Sequence, residues 1–304
     1  MAVGRPIPVI LDTDIGSDFD DTWALGMMLK SPELDIQLIV SCTNDTVYRA
    51  KIIAKILERA GRSDIPVGIG IRQNEKIERQ APWVADYDLS KYPVVHRDGV
   101  AAIVETIMNS KETVTLISIG PVSNIAKALE IEPRIASKTR FVGMHGSVHK
   151  GYNGAVGTRD KEYNVVFDIP ACQKVFTAPW KEITVTPVDT CGRVRLEGER
   201  YQKMLQSKDV VIMTIMENYK IWAEEGGQAQ SYNTHTNVLF DNVAVYLAFS
   251  QEELVMKREG IRVTDDGFTV PDETAQQMNV AVEWKSLERY MEFLTNRLLS
   301  PVVR

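Results

Sequence analysis

The chain has 304 residues with 35 basic and 41 acidic side chains, a formal net charge of −6, and 44% hydrophobic residues. This is globular composition with no basic excess, which excludes a nucleic-acid binder that works through a cationic face. Three cysteines build no disulfide framework and read as reduced thiols. No apolar run reaches the ~18 residues of a membrane span, and no signal peptide precedes the first strand, so a cytoplasmic protein is expected.

Apolar runs of strand character alternate with helical periodicity along the chain. Residues 7–11 (IPVIL) read as a buried strand, and a helix follows through residues 23–29. Residues 36–42 (IQLIVSC) give a second strand, followed by helical spacing over 48–59. Strands are predicted at 114–120 (VTLISIG) and 140–144 (RFVGM), with a helix at 124–129 between them, and again at 183–188 (ITVTPV). The alternation predicts an α/β fold, a mostly parallel central sheet flanked by helices. The last third reads as more helical, at 210–222 and 242–249. Asp265-Asp266-Gly267 marks the turn of a small hairpin over 261–270. Apolar residues from Trp284 to Leu298 at helical spacing predict a helix over 284–299 packed on the body. No linker or repeat divides the chain, so one domain over residues 1–304 is expected. Two polar segments without period, 72–93 and 147–161, read equally as binding loops or surface decoration.

The densest chemical signal follows the first strand. Between Asp12 and Asp21 stand five aspartates, at 12, 14, 18, 20 and 21. In an open parallel sheet, ligands bind at the carboxyl ends of strands. Carboxylates converging there repel one another, and a hard divalent cation relieves the repulsion. Capping the following helix needs one aspartate, not five. An EF-hand loop does not fit, because Ser17 and Trp23 stand where it needs Gly and Glu.

The form Asp12-Thr13-Asp14-x-Gly16-x-Asp18-x-Asp20-Asp21 resembles the aspartate signature of the inosine-uridine-preferring nucleoside hydrolases, with two extra residues before the final pair. Further segments occur in the order of that family: Thr43-Asn44, the stretch from Gly120-Pro121 to Ala126, Met144-His145-Gly146, Glu162-Tyr163-Asn164 with Asp168, and Phe240-Asp241. The resemblance covers residues 7–299 and implies that family's Rossmann-like fold.

It also implies hydrolysis of an N-ribosidic bond to ribose and free base, with Asp14 taking the proton of a Ca²⁺-bound water. Asp14, Asp21, Asp241 and the carbonyl of Ser123 correspond to the Ca²⁺ ligands, and Asp12 to a residue supporting them. Asp20, Asn44, Glu162, Asn164 and Asp241 correspond to the ribose-binding residues, and Met144 to a methionine lining the sugar pocket. By the same resemblance a homodimer or homotetramer serving nucleoside salvage is expected. The base side departs from the family. Phe240 stands where several members carry a leaving-group histidine, so His235 and Tyr232 are the candidate proton donors and Trp222 the candidate stacking partner. His145 replaces a glycine, and Asn153 is a stand-in for a Gly-Asn pair in the segment before Glu162. Asp168 reads as a helix N-cap, and Asp189 as a turn residue. Two competing readings remain at this level. One is a Mg²⁺-dependent phosphatase of haloacid-dehalogenase type with Asp12 as nucleophile. The other is a nucleoside or ribose binder without turnover.

Overall fold

The computed structural model describes residues 5–152 and 154–303, so Asn153 lies outside the described residues. It is a single α/β domain. Strands β1 (Ile7–Thr13), β2 (Leu34–Ser41), β3 (Val67–Ile69), β4 (Val95–His96), β5 (Val114–Ser118), β6 (Thr139–Met144) and β7 (Glu182–Thr186) all run parallel. They are followed by β8 (Leu254–Val263), β9 (Thr269–Pro271) and β10 (Gln277–Trp284). Among the described residues these form one ten-stranded sheet in the order β4-β3-β2-β1-β5-β6-β7-β10-β8-β9. β10 joins β7 in parallel, while β8 and β9 add an antiparallel edge.

Both faces of the sheet are covered, which explains the unbroken apolar runs. In β1, Val9 and Leu11 point into one core with the helices Asp20–Leu29, Thr46–Arg59, Val210–Glu225 and Leu287–Leu299. Ile10 points into the other, with Gly99–Asn109, Ser123–Ile131 and Ile169–Thr177. The period of two in side-chain direction divides the residues of one strand between the two cores.

The chain winds outward from β1 through β2, β3 and β4, then returns to lay β5 on the other side of β1. Strand order therefore reverses between β1 and β5. At such a reversal the connections leave in opposite directions, and a crevice opens at the carboxyl ends. Asp14 follows β1 and Gly120 follows β5 there. A Cβ on Gly120 would lie 2.9 Å from Asp14 Oδ1 and 2.7 Å from Cys42 Sγ. Only glycine lets the two loops come this close.

Most predicted elements lie within two residues of those observed; the chief corrections fall in the last third. It is less helical than expected, because β8 and β10 pair along Leu254–Trp284. Trp284 ends β10 instead of opening the last helix, which starts at Leu287 behind Ser286 as N-cap. Trp284 and Leu287 are three residues apart, so strand end and helix start imitate helical spacing. The hairpin is present, with Val263 opposite Thr269. Segment 72–93 carries two short 3₁₀ turns and buries Trp83.

Candidate active site

The loop after β1 is built to hold carboxylates. Gly16 takes φ +113°, and a Cβ there would meet the Tyr48 ring and Ile52 at 2.9 Å. Arg49, fully buried on the helix Thr46–Arg59, ties the loop down. Its Nη1 donates to the Ile15 carbonyl (2.9 Å) and Ser17 Oγ (3.0 Å), and its Nε to the Thr43 carbonyl (3.0 Å). Ser17 Oγ in turn donates to Asp14 Oδ2 at 3.0 Å. Burial raises Asp14 above the ordinary carboxylate range, while the Arg49 charge and the Ser17 hydroxyl pull it back down.

Asp20 and Asp21 open the helix Asp20–Leu29, whose N-cap Phe19 has no side-chain cap. Neither carboxylate serves as that cap. Asp241 opens a second helix, Asp241–Leu247, from a distant part of the chain. One carboxylate oxygen from each of Asp20, Asp21 and Asp241 lies within 4.8 Å of the others, and all three residues are buried. Thr13 Oγ1 donates to Asp21 in a short hydrogen bond. Burial, then the charges of the neighbouring aspartates, pushes all three far above the usual carboxylate range. An all-oxygen anionic set of this kind fits a hard divalent cation and does not suit a thiophilic metal. Of the expected ligands, Asp21 and Asp241 meet in the triplet, Asp20, expected on ribose, joins them, and Asp14 lines the same cavity. Ser123 opens the helix Ser123–Ile131, and its hydroxyl donates to Asp168 Oδ2 at 2.6 Å.

A cavity of about 380 Å³ opens over the triplet. Asp14, Asp20, Asp21, Met144, Glu162, Asn164, Phe240 and Asp241 all line it. Glu162 caps the short helix Tyr163–Val166, accepting from the amides of Asn164 (2.7 Å), Gly146 (3.0 Å) and Val165 (3.2 Å). Burial outweighs these three donors and pushes Glu162 up to about 7. Asn164 Nδ2 donates to the carbonyls of Met144 (2.9 Å) and Ile119 (3.3 Å), which fixes its amide against the end of β6. Asn44 is buried but does not line the cavity. It takes φ +48°, next to Thr43 at +65°, and its Oδ1 accepts from Asn74 Nδ2 at 2.8 Å. A β-branched residue at positive φ is strained. Asp12 is fully buried on β1, accepts from Asn124 Nδ2 at 2.8 Å, and is raised to about 7 by burial.

A second cavity of about 610 Å³ shares Ser17, Asp18 and Glu78 with the first and is lined by Trp222 and His235. Trp222 stacks on Tyr219 (5.7 Å between centroids, 21°) and donates from Nε1 to the Ser17 carbonyl at 3.0 Å. His235 Nδ1 is 2.8 Å from Thr234 Oγ1. Tyr232 packs on Tyr219 at 6.1 Å and lines neither cavity. Asp168 is the N-cap expected of it, accepting from the Ala171 amide at 3.1 Å. Asp189 sits in a helical turn, Val188–Cys191, and its carboxylate accepts from the amides of His149 (2.6 Å), Val148 (2.9 Å) and Lys150 (3.2 Å). It thereby anchors the root of the 147–161 loop. Buried His145 is pushed down to about 4 by burial and stays neutral, 3.2 Å from the Gly120 carbonyl. Sequence reasoning missed Arg49, Lys76, Glu78, Tyr152 and Tyr163. Only Arg49 left a signal, as a cation on the apolar stripe of a helix.

The raised carboxyls set the pH dependence of the metal-free fold. Groups held above their unfolded values bind more protons folded than unfolded, so stability falls as pH rises through the window between the two. For Asp12 and Glu162 that window runs from their ordinary values, 3.8 and 4.5, up to about 7. The chelator-treated protein is therefore expected to melt at a higher temperature at pH 5.5 than at pH 8. A melting temperature that rises with pH in the chelated protein contradicts this assignment.

The profile of the inosine-uridine preferring nucleoside hydrolase family matches residues 9–294. A probable uridine nucleosidase from Arabidopsis thaliana is 25% identical over 283 residues, covering 88% of this chain and 85% of that one. A non-specific ribonucleoside hydrolase from Klebsiella pneumoniae is 29% identical over 205 residues, 64% of this chain and 65% of that one. Among solved structures, a plant nucleoside hydrolase superposes with a TM-score of 0.80 at 23% identity, covering 98% of this chain and all of that one. A purine-preferring ribonucleoside hydrolase from Gardnerella vaginalis gives 0.76 at 19% identity, covering 96% and 98%.

Proposed function

This chain belongs to the inosine-uridine preferring nucleoside hydrolase family, and we propose that its acidic cavity performs the family reaction with Asp14 as general base and the Asp20, Asp21 and Asp241 triplet as a Ca²⁺ site. The enzyme is an N-ribosyl hydrolase that splits a ribonucleoside into ribose and free base. The observation that carries the assignment of residues is the convergence of Asp14 and the triplet on one cavity at the β1/β5 crevice. When bound, the cation supplies Lewis acidity, orienting water and lowering its pKa. The Ser17 hydroxyl and the Arg49 charge oppose the burial that raises Asp14, and its carboxylate accepts the proton of the attacking water. Asp20, Asn44, Glu162, Asn164 and Asp241 bind the ribose hydroxyls, with Met144 lining the sugar pocket. Their negative charge favours the positive character the sugar develops as its bond to the base breaks. Trp222 and His235 line the adjoining cavity on the side where the base projects.

The phosphatase reading loses its nucleophile, because Asp12 is fully buried, accepts from Asn124 and does not line the cavity. A binder has no need for a base beside the triplet. Three free, buried cysteines support a reducing, cytoplasmic compartment, and we assign the enzyme to nucleoside salvage as a homodimer or homotetramer. No helix among the described residues is long and apolar enough to cross a membrane.

The diol assignment is tested by comparing ribonucleosides with 2′-deoxyribonucleosides by chromatography of the released base. Losing the 2′-hydroxyl leaves buried carboxylates unpaired, so kcat/KM is expected to fall at least ~100-fold. Equal cleavage of both series would remove the ribose-binding roles proposed for these residues.

A further inference from the structure

Breaking the bond between C1′ and the base leaves the electron pair on the base nitrogen. That charge needs a hydrogen-bond donor on a wall of the cavity that is not carboxylate. Five side chains lining the cavity carry a transferable or donatable proton: Ser17, Lys76, Tyr152, Tyr163 and Asn164. Ser17 donates to Asp14, and Asn164 donates to two carbonyls. Lys76 is 65% exposed and pairs with Glu78 at 2.9 Å. The Tyr163 ring lies against Phe167, centroids 5.7 Å apart. Tyr152, 44% exposed like Tyr163, differs in what its ring and hydroxyl meet. Its ring meets Phe240 edge-on at 5.9 Å and 87°, one residue from Asp241 of the triplet. Its hydroxyl oxygen accepts from the Tyr163 amide at 3.4 Å, and among the described residues no acceptor takes its proton.

The position is built, not incidental. The Tyr152 amide donates to Asp160 Oδ2 at 2.7 Å, and a Cβ on neighbouring Gly151 would lie 2.3 Å from that same oxygen. Asp189 fixes the three amides just before it, at Val148, His149 and Lys150. Burial and the Glu162 charge raise the phenol above its ordinary value, so it keeps its proton as a donor.

We propose that the Tyr152 hydroxyl donates a hydrogen bond to the departing base and is the leaving-group contact of this enzyme, a role that rests on the hydrolase reading above. As C1′–N breaks, the pair moves to the base and Tyr152 holds the charge. The attacking water adds its oxygen to C1′ and gives one proton to Asp14. The base takes a proton from solvent on release, and Asp14 returns its own, so one water is consumed per nucleoside.

The test is Tyr152→Phe, assayed on uridine and inosine and on p-nitrophenyl β-D-ribofuranoside, whose nitrophenolate departs without help. Removing a hydrogen bond to a developing charge is expected to lower nucleoside kcat ~10- to 100-fold. The nitrophenyl riboside is expected to change less than ~3-fold, since no donor assists its leaving group. Tyr152→His, which keeps a ring donor, is expected to retain more nucleoside turnover than Tyr152→Phe. Equal losses on both substrate types, or none on either, overturn the proposal. Wild-type protein that cleaves the nitrophenyl riboside but no nucleoside overturns it while leaving the hydrolase reading of the acidic cavity intact. Wild-type protein that cleaves neither removes both.

Discussion

Asp14→Ala is expected to lower kcat for ribonucleoside hydrolysis by at least about a thousandfold, on the order of 4 kcal/mol of barrier. The size follows from where the carboxylate stands. It leaves β1 at the sheet's crossover crevice, lines the cavity, and receives the Ser17 hydroxyl at 3.0 Å. Asp20, Asp21 and Asp241 are pushed up by burial and by one another, whereas the Arg49 charge is the largest effect opposing burial at Asp14. Alanine removes the base and loosens the Ser17 and Arg49 bracing of the loop. Asp14→Asn separates these roles. It is expected to keep the fold and the loss of turnover together, since an amide preserves the hydrogen-bond geometry but accepts no proton. Turnover within tenfold of wild type in either variant would remove Asp14 from the mechanism.

Asp241→Asn is expected to reduce turnover by a comparable factor, again about a thousandfold, and to raise the melting temperature of the chelated protein. The two effects have one cause. Three buried carboxylate oxygens within 4.8 Å of one another are unfavourable when ionised and uncompensated. Replacing one by an amide relieves that repulsion, so the metal-free fold gains stability. The same change removes one third of the anionic donor set, so Ca²⁺ stabilises the variant less. Melting curves with Ca²⁺ and with chelator read both effects from one sample. A variant less stable than wild type without metal would show that Asp241 braces the fold and is not held there at a cost.

The aspartate run was the most legible feature of the sequence, because five carboxylates after an apolar strand have no economical structural explanation. The parallel core was legible for a related reason. Strands β1, β5, β6 and β7 are buried on both faces and read as continuous apolar runs. β8 and β10 were not, since they lie on the antiparallel side with exposed Lys257, Arg258 and Gln277 interrupting their apolar positions. Asp241 was placed by its motif, yet nothing local to it reveals that its carboxylate meets Asp20 and Asp21 across more than two hundred residues. Tyr152 left no signal at all. It sits in an aperiodic loop, and its place in the cavity depends on Asp189 and Asp160, which hold that loop from a distance in sequence. Long-range hydrogen bonding to loop amides has no periodicity to read.

Ribose release from a nucleoside panel, measured on protein stripped by a chelator and then titrated with Ca²⁺, tests the assignment most directly. The stripped enzyme is expected to be inactive on every nucleoside, and stoichiometric Ca²⁺ is expected to restore turnover. Undiminished ribose release from protein that elemental analysis finds free of divalent metal would contradict a cation site at Asp20, Asp21 and Asp241.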